Sequence, residues 1–297
     1  MTREITIAYT PDSDDAFYYY AMQNNIIGLP GVKFRFEVDH IINLNRLAKE
    51  CQYHVTAISS VAYPELVSNY RILSIGTSVG RGYGPVLVSK KYRTLDELAN
   101  KRIAVGGIPT TGGYLAEIFL PEADIVAHQF DLIADGILDG TFDAGVMIHE
   151  ELLYFPQMGL HQVADLGKRW CQENDHPLPV GLNVIRGHLD ESLVQDITDC
   201  ICESLRYALT HREEALDWAS QFGRGKEGKC SEAFVSMFAN ADSLQMPTDV
   251  REGLQILLSQ VNKSSGERNE TPLDIVDSTG IVQKQVLGLI QDLQSVA

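Results

Sequence analysis

Between Lys101 and His149 the chain runs twice through one order: a short apolar run, a polar or glycine-rich junction, a helical pattern, then another short apolar run. The runs at 103–105, 125–130 and 142–148 are bounded by turn-forming residues, as buried strands are. The segments between them, GGIPTTGGYLAEIFL and DLIADGIL, carry helical spacing. Strand, helix, strand passages fold back onto a parallel sheet with one hand, which places this stretch in the α/β class. His149 then stands at the carboxyl end of the 142–148 strand, and Glu150 and Glu151 open the next helix, where carboxylates complement its dipole. Ligands of open α/β sheets bind beyond the carboxyl ends of the strands, so an imidazole there is placed for proton transfer. A plain hydrogen bond from His149 to a neighbouring loop is an equally good reading of the pattern alone.

The amino-terminal part follows the same grammar. Residues 5–9 alternate as a strand, TPDSDDAF precedes an aromatic helix at 17–23, and 32–38 (VKFRFEV) alternate again. Residues 43–49 put Leu44, Leu47 and Ala48 on one helical face, and 55–59 (VTAIS) form a third strand before a helical pattern at 63–70. Strand-like residues 71–79 lead into GRGYGP at 80–85, whose glycines suit a tight turn or a close approach to a ligand. No lysine stands there in the Walker position and the third glycine of a dinucleotide loop is missing. A strand at 86–89 and a capped turn at 94–99 complete this part. After a strand at 160–166, HPLPVGLNVIRG at 176–187 is stiffened by Pro177 and Pro179 and reads as the return to the first lobe and a hinge. The remainder is helical, at 193–209, 215–222, about 250–261 and 282–296, with RGKEGK (224–229) and NKSSGERNE as surface loops. With 297 residues and 44% hydrophobic content, the expectation is two lobes around a central cleft, one built from 1–90 and 185–297, the other from 91–184.

Charge narrows the partners. The chain has 24 Lys and Arg against 40 Asp and Glu, a formal −16, whereas nucleic acid and anionic membrane surfaces demand a basic face. No apolar run approaches the ~20 residues that span a bilayer. Met1 runs straight into the first strand without a basic and apolar leader, so a cytoplasmic location is expected. The five cysteines are scattered, and Cys200 and Cys202, two apart in a helical pattern, lie on different faces with no His pair nearby. Reduced thiols and no metal site follow.

The candidate site residues sit at strand-to-helix junctions. At the first, Thr10, Asp12 and Ser13 are natural caps, and Asp14 or Asp15 could orient a hydroxyl on a ligand; a well-capped helix with no ligand is the alternative. The junction lacks the glycine and distal glutamate of a calcium loop. Ser59 and Ser60 can cap the helix after the third strand or meet a carboxylate. Thr110 and Thr111, with the N–H groups around Gly112 and Gly113, suit an anionic group at a helix N-terminus, with a structural cap as the alternative. Arg81, in the glycine-rich segment, is the cation taken as a further substrate contact. The expected partner is a small carboxylate-bearing molecule, and a homodimer is left open.

In order, TPDSDDAF, VTAISSVAYPEL, SIGTSVGRGYGPVLVSK, IAVGGIPTTGGYLAEIF, FDAGVMIHEELLYF and HPLPVGLNVIR resemble the menaquinone-biosynthesis enzymes of the futalosine route, on the side of its 1,4-dihydroxy-6-naphthoate synthases. The likeness in motifs covers roughly the first 190 residues, with helical pattern alone beyond them. It implies a periplasmic-binding-protein-like (type II) fold, two α/β lobes with a central cleft and no export signal. It further implies a cofactor-free, metal-free lyase that opens cyclic dehypoxanthine futalosine to 1,4-dihydroxy-6-naphthoate. In it His149 matches the catalytic base, Thr110 and Thr111 the paired threonines of the cleft, and Ser59 a polar residue of the opposite lobe. Neutral His149 takes a proton, a carbon–carbon bond breaks as the second ring becomes aromatic, and the threonine region holds the carboxylate. Related dehydratases of the same fold lack the histidine. The first junction departs from the family's S-P-C-P-N-D-T-F: Asp12 and Asp14 replace cysteine and asparagine, and Ala16 replaces threonine. Two extra acids facing a carboxylate-bearing substrate would repel it unless they turn to solvent or meet a cation. A different lyase on a related precursor, or a solute-binding protein that breaks no bond, therefore stays open beside the synthase.

Overall fold

The computed structural model describes residues 2–223, 228–267, 269–279 and 288–289. In chain order the strands are β1 (Arg3–Tyr9), β2 (Val32–Val38), β3 (Val55–Ser59), β4 (Tyr70–Leu73), β5 (Ser78–Gly80), β6 (Val86–Ser89), β7 (Arg102–Val105), β8 (Asp124–Ala127), β9 (Ala144–Met147), β10 (His161–Asp165), β11 (Leu178–Arg186) and β12 (Ile275–Val276). The helices are α1 (Ser13–Tyr18), α2 (Tyr20–Gln23), α3 (Ile41–Lys49), α4 (Thr111–Phe119), α5 (Ile133–Leu138), α6 (Glu151–Tyr154), α7 (Leu166–Asn174), α8 (Glu191–Thr210), α9 (Arg212–Ala219), α10 (Gly228–Phe238), α11 (Ala241–Leu244) and α12 (Thr248–Ser265). The helix expected at 282–296 and most of the RGKEGK loop lie outside the described residues. Among the described residues no helix is long and apolar enough to cross a membrane.

Two sheets form. The first has the order β12-β4-β11-β3-β1-β2, with β5 also on β11. Its β1 runs parallel to β2 and β3, while β11 runs antiparallel to β3, β4 and β5. The second has the order β10-β6-β9-β7-β8, with β7 parallel to β8 and β9, and β6 antiparallel to β9 and β10. The last residues of β1, all of β3 and all of β9 are buried whichever way their side chains point, the signature of sheets covered on both faces. One face of the first sheet packs Ile5, Ile7, Phe17 and Tyr19 against Ile197, Ile201 and Leu205 of α8. The other packs Ile58, Ile72 and Val184 against Val250, Leu254 and Leu258 of α12. The second lobe closes around Ile103, Val105, Leu115, Val146 and Trp170.

The strands divide the chain differently from the sequence reading at both crossings. Val86–Ser89 pairs in the second sheet, and Leu178–Arg186 in the first, so the chain passes between lobes near 81–85 and again near 175–177. An apolar strand carries no mark of which sheet it joins. HPLPVGLNVIRG is correspondingly an internal strand rather than a hinge, and its Pro179 is accommodated where the pairing with β5 shifts register. Residues 60–65 form a 3-10 turn with Pro64 inside it, and the chain then extends as β4, in place of the helix expected at 63–70.

Candidate active site

The carboxyl ends of β1, β3, β7 and β9 point toward one cleft between the lobes. Thr10, Asp12, Asp14 and Asp15 follow β1, Ser59 ends β3, Thr110, Thr111 and Gly112 follow β7, and Ile148 and His149 follow β9; all line the cleft. Together with Asn183, Leu152, Phe234 and Phe238 they enclose a cavity of about 100 Å³ that opens to solvent at its mouth.

The first junction does not use its side chains as caps: Asp12 stands at the N-cap of α1 and makes no capping hydrogen bond. Its Oδ2 instead meets Nδ1 of His149 across the cleft. Thr10 Oγ donates to the same Asp12 oxygen at 2.7 Å and lies 2.6 Å from Oδ2 of Asp15, which also accepts the Thr10 N–H at 2.8 Å. Ser13 donates to Oε1 of Glu150, again from one lobe to the other. His149 adopts φ +56°, a left-handed conformation that costs a non-glycine residue energy and recurs at functional sites. Its ring stands edge-on to Phe130, with centroids 4.8 Å apart.

Burial sets the electrostatics of the acids. Asp14 is held well above the usual carboxylate range, first by burial and then by the neighbouring charges of Asp15 and Asp12. Burial also raises Asp15, to about 6, against the lowering effect of its two Thr10 hydrogen bonds. Asp14 and Asp15 are thus pushed toward their neutral forms, which lessens their share of the repulsion that the acidic junction implied for an anionic ligand. Among the described residues no group of three or more His, Cys, Asp or Glu side chains is arranged to hold a metal ion.

On the opposite wall, Thr110 Oγ accepts from the N–H of Gly113 at 3.1 Å, capping α4, and donates to the Gly107 carbonyl at 2.7 Å. Thr111 Oγ donates to the Val180 carbonyl at 2.6 Å. Both hydroxyl protons are therefore taken, and what α4 offers an anion is the backbone N–H of Thr111 and of Gly112, which make no hydrogen bond among the described residues. Ser59 lies across from them. Its N–H donates to Asn45 Oδ1 at 2.9 Å and its Oγ accepts from Asn45 Nδ2 at 3.1 Å, which leaves its own proton for a ligand.

Two of the expected contacts lie elsewhere. Arg81 is outside the cleft, because Asp242 and Asp249 grip its guanidinium at 2.7 Å each. Ser60 is fully buried behind Ser59 and does not line the cleft. Sequence reasoning in turn missed Asn45 and Asn183, which sit on a helix face and in a strand where an asparagine gives no signal, and it took Asp12 for a cap. Among the described residues that line the cleft there is no Lys or Arg.

Two lobes on separate sheets, with a cleft between the strand ends, make the architecture of the solute-binding proteins. An alkanesulfonate-binding protein of Xanthomonas axonopodis has this fold at a TM-score of 0.69 and 10% identity, over 93% of this chain and 98% of its own. The particular family is given by sequence: residues 5–263 match the menaquinone biosynthesis family, and the chain belongs to it. The 1,4-dihydroxy-6-naphthoate synthase of Thermus thermophilus is 31% identical over 242 residues, 82% of this chain and 88% of the relative. The synthase of the same name from Streptomyces coelicolor is 23% identical over 86% of this chain and 92% of its own. A protein of Archaeoglobus fulgidus superposes with a TM-score of 0.83 at 36% identity, over 89% of this chain and 98% of that one.

Proposed function

We propose that the protein is a carbon–carbon lyase of the 1,4-dihydroxy-6-naphthoate synthase type, acting in menaquinone biosynthesis on cyclic dehypoxanthine futalosine and working in the cytoplasm. Membership of the family and the 31% identity to the Thermus synthase over most of both chains support the reaction. The observation that carries the reading is the imidazole of His149, held at a strand end on the wall of the cleft between the lobes. His149 serves as general base, taking the proton whose loss allows the carbon–carbon bond to break as the ring becomes aromatic. The substrate carboxylate is received by the Thr111 and Gly112 N–H groups and the Ser59 hydroxyl, with the partial positive charge of the α4 N-terminus in place of a basic side chain. Asp14, driven toward its neutral form, donates a hydrogen bond to a substrate oxygen where an ionised acid could only repel it.

The test is turnover of cyclic dehypoxanthine futalosine by the purified protein, with the naphthoate product followed by absorbance and mass. Product formation is expected. Native mass spectrometry that recovers an unrelated, unmodified solute from the cleft, together with no turnover, would instead make the protein a receptor.

A further inference from the structure

The contact between Asp12 and His149 joins two residues that belong to different sheets, one following β1 and the other following β9. The next residues along, Ser13 and Glu150, pair in the same way, so 12 with 149 and 13 with 150 form two adjacent rungs across the cleft. Asp12 is 1% exposed and makes no capping hydrogen bond for its own helix. Thr10 Oγ fixes the Asp12 oxygen that meets the ring. The acids around the pair are Asp14 and Asp15 on α1 and Glu150 and Glu151 after His149, and among the described residues no basic side chain lines the cleft beside them.

We propose that Asp12 is a positioning residue for the base: it accepts the Nδ1 proton of His149 and leaves Nε2 as the nitrogen that takes the substrate proton. The inference rests on His149 being the base. A carboxylate can only accept, so a neutral imidazole bonded to it through Nδ1 carries its one proton there. Phe130 fixes the plane of the ring from the side, and Asp12 fixes its tautomer.

Nitrogen-15 spectra of the histidine ring, assigned by comparison with His149→Asn, test the pairing without turnover. Wild-type protein is expected to show His149 as the Nδ1–H tautomer, Asp12→Ala as the Nε2–H tautomer common to free imidazole, and Asp12→Asn as Nδ1–H, since its amide oxygen still accepts. In turnover Asp12→Ala is expected to lose about 100-fold or more in kcat with KM changed less than about threefold, and Asp12→Asn to recover part of the loss. Asp12→Leu gives the same reading if the alanine variant does not fold. A His149 tautomer that stays the same when Asp12 is removed overturns the proposal, as does a kcat that survives removal. Absence of turnover in the wild type would strike the function proposed above, and the tautomer comparison would then decide the pairing by itself.

Discussion

His149, half-buried on the cleft wall, and Asp15, buried beside it, show how differently two titratable groups act. Replacing the base should abolish chemistry and spare the fold: His149→Asn is expected to lower kcat by about 100-fold or more while the melting temperature moves by only a few degrees. A steady-state assay beside a thermal melt checks both, and retained turnover would remove His149 from the mechanism. Asp15 instead bears on stability. Its ordinary value is 3.8 and burial raises it to about 6. Between these values the folded state holds more protons than the unfolded one, so the contribution of this group to stability falls as pH rises from about 4 to about 6, and the cost persists above. Asp15→Asn, whose amide oxygen can still accept from Thr10, should therefore stabilise the protein at pH 7 by about 1 kcal/mol or more and lose that gain below pH 4. Denaturant melts at pH 4 and pH 7 read it, and an equal effect at both would refute the assignment. The position of His149 was legible because a short apolar run has a clear end. Asp12 was hidden by its own chemistry: an aspartate before a helix looks like a cap whether or not it caps.

At the scale of elements, the junction between β7 and α4 shows a hydroxyl that does cap. Thr110→Val removes the acceptor for the Gly113 N–H and the donor to the Gly107 carbonyl, and should cost about 1 kcal/mol of stability. By loosening the first turn of α4 it should also raise KM for the carboxylate-bearing substrate more than it lowers kcat, whereas Thr110→Ser should change neither much. Gly107 belongs to the same junction, at φ +123° and with Ile42 of the opposite lobe 2.6 Å from where a Cβ would stand. Only glycine meets both demands. Elements with a full period were readable, among them β1, β2, β3, β7 and the long helices α8 and α12. Those set by tertiary contact were not. Helix α7 is short and charged on its outer face and declares itself only by burying Leu166 and Trp170. β12 is two residues long and exists as a strand because β4 is beside it.

Among the groups that join the two lobes, Asn45 is the most economical. Its Nδ2 donates to Ser59 at 3.1 Å within the first lobe and to the Pro109 carbonyl at 2.7 Å in the second, while its Oδ1 accepts from the Ser59 N–H. One buried amide thus sets a ligand-facing hydroxyl and ties the lobes. α12 braces the same interface from behind, with Leu257 in the core of the second lobe and Leu254 and Leu258 in that of the first. Removing the tie should therefore open the cleft without dissolving either core. Asn45→Asp is the sharper variant, because it keeps an acceptor for Ser59 but turns an oxygen toward the Pro109 carbonyl where a donor stood, and an unpaired buried carbonyl costs about 1–3 kcal/mol. The cost falls on the closed form, so the ligand-free radius of gyration from solution scattering should rise and KM should increase about 5- to 100-fold, the closed population having become the scarce species. Saturating ligand should restore the compact radius in the variant as in the wild type, because binding favours the closed form in both. A radius and KM that match the wild type would mean that α12 and the Asp12 and Ser13 contacts suffice, and that Asn45 orients Ser59 alone.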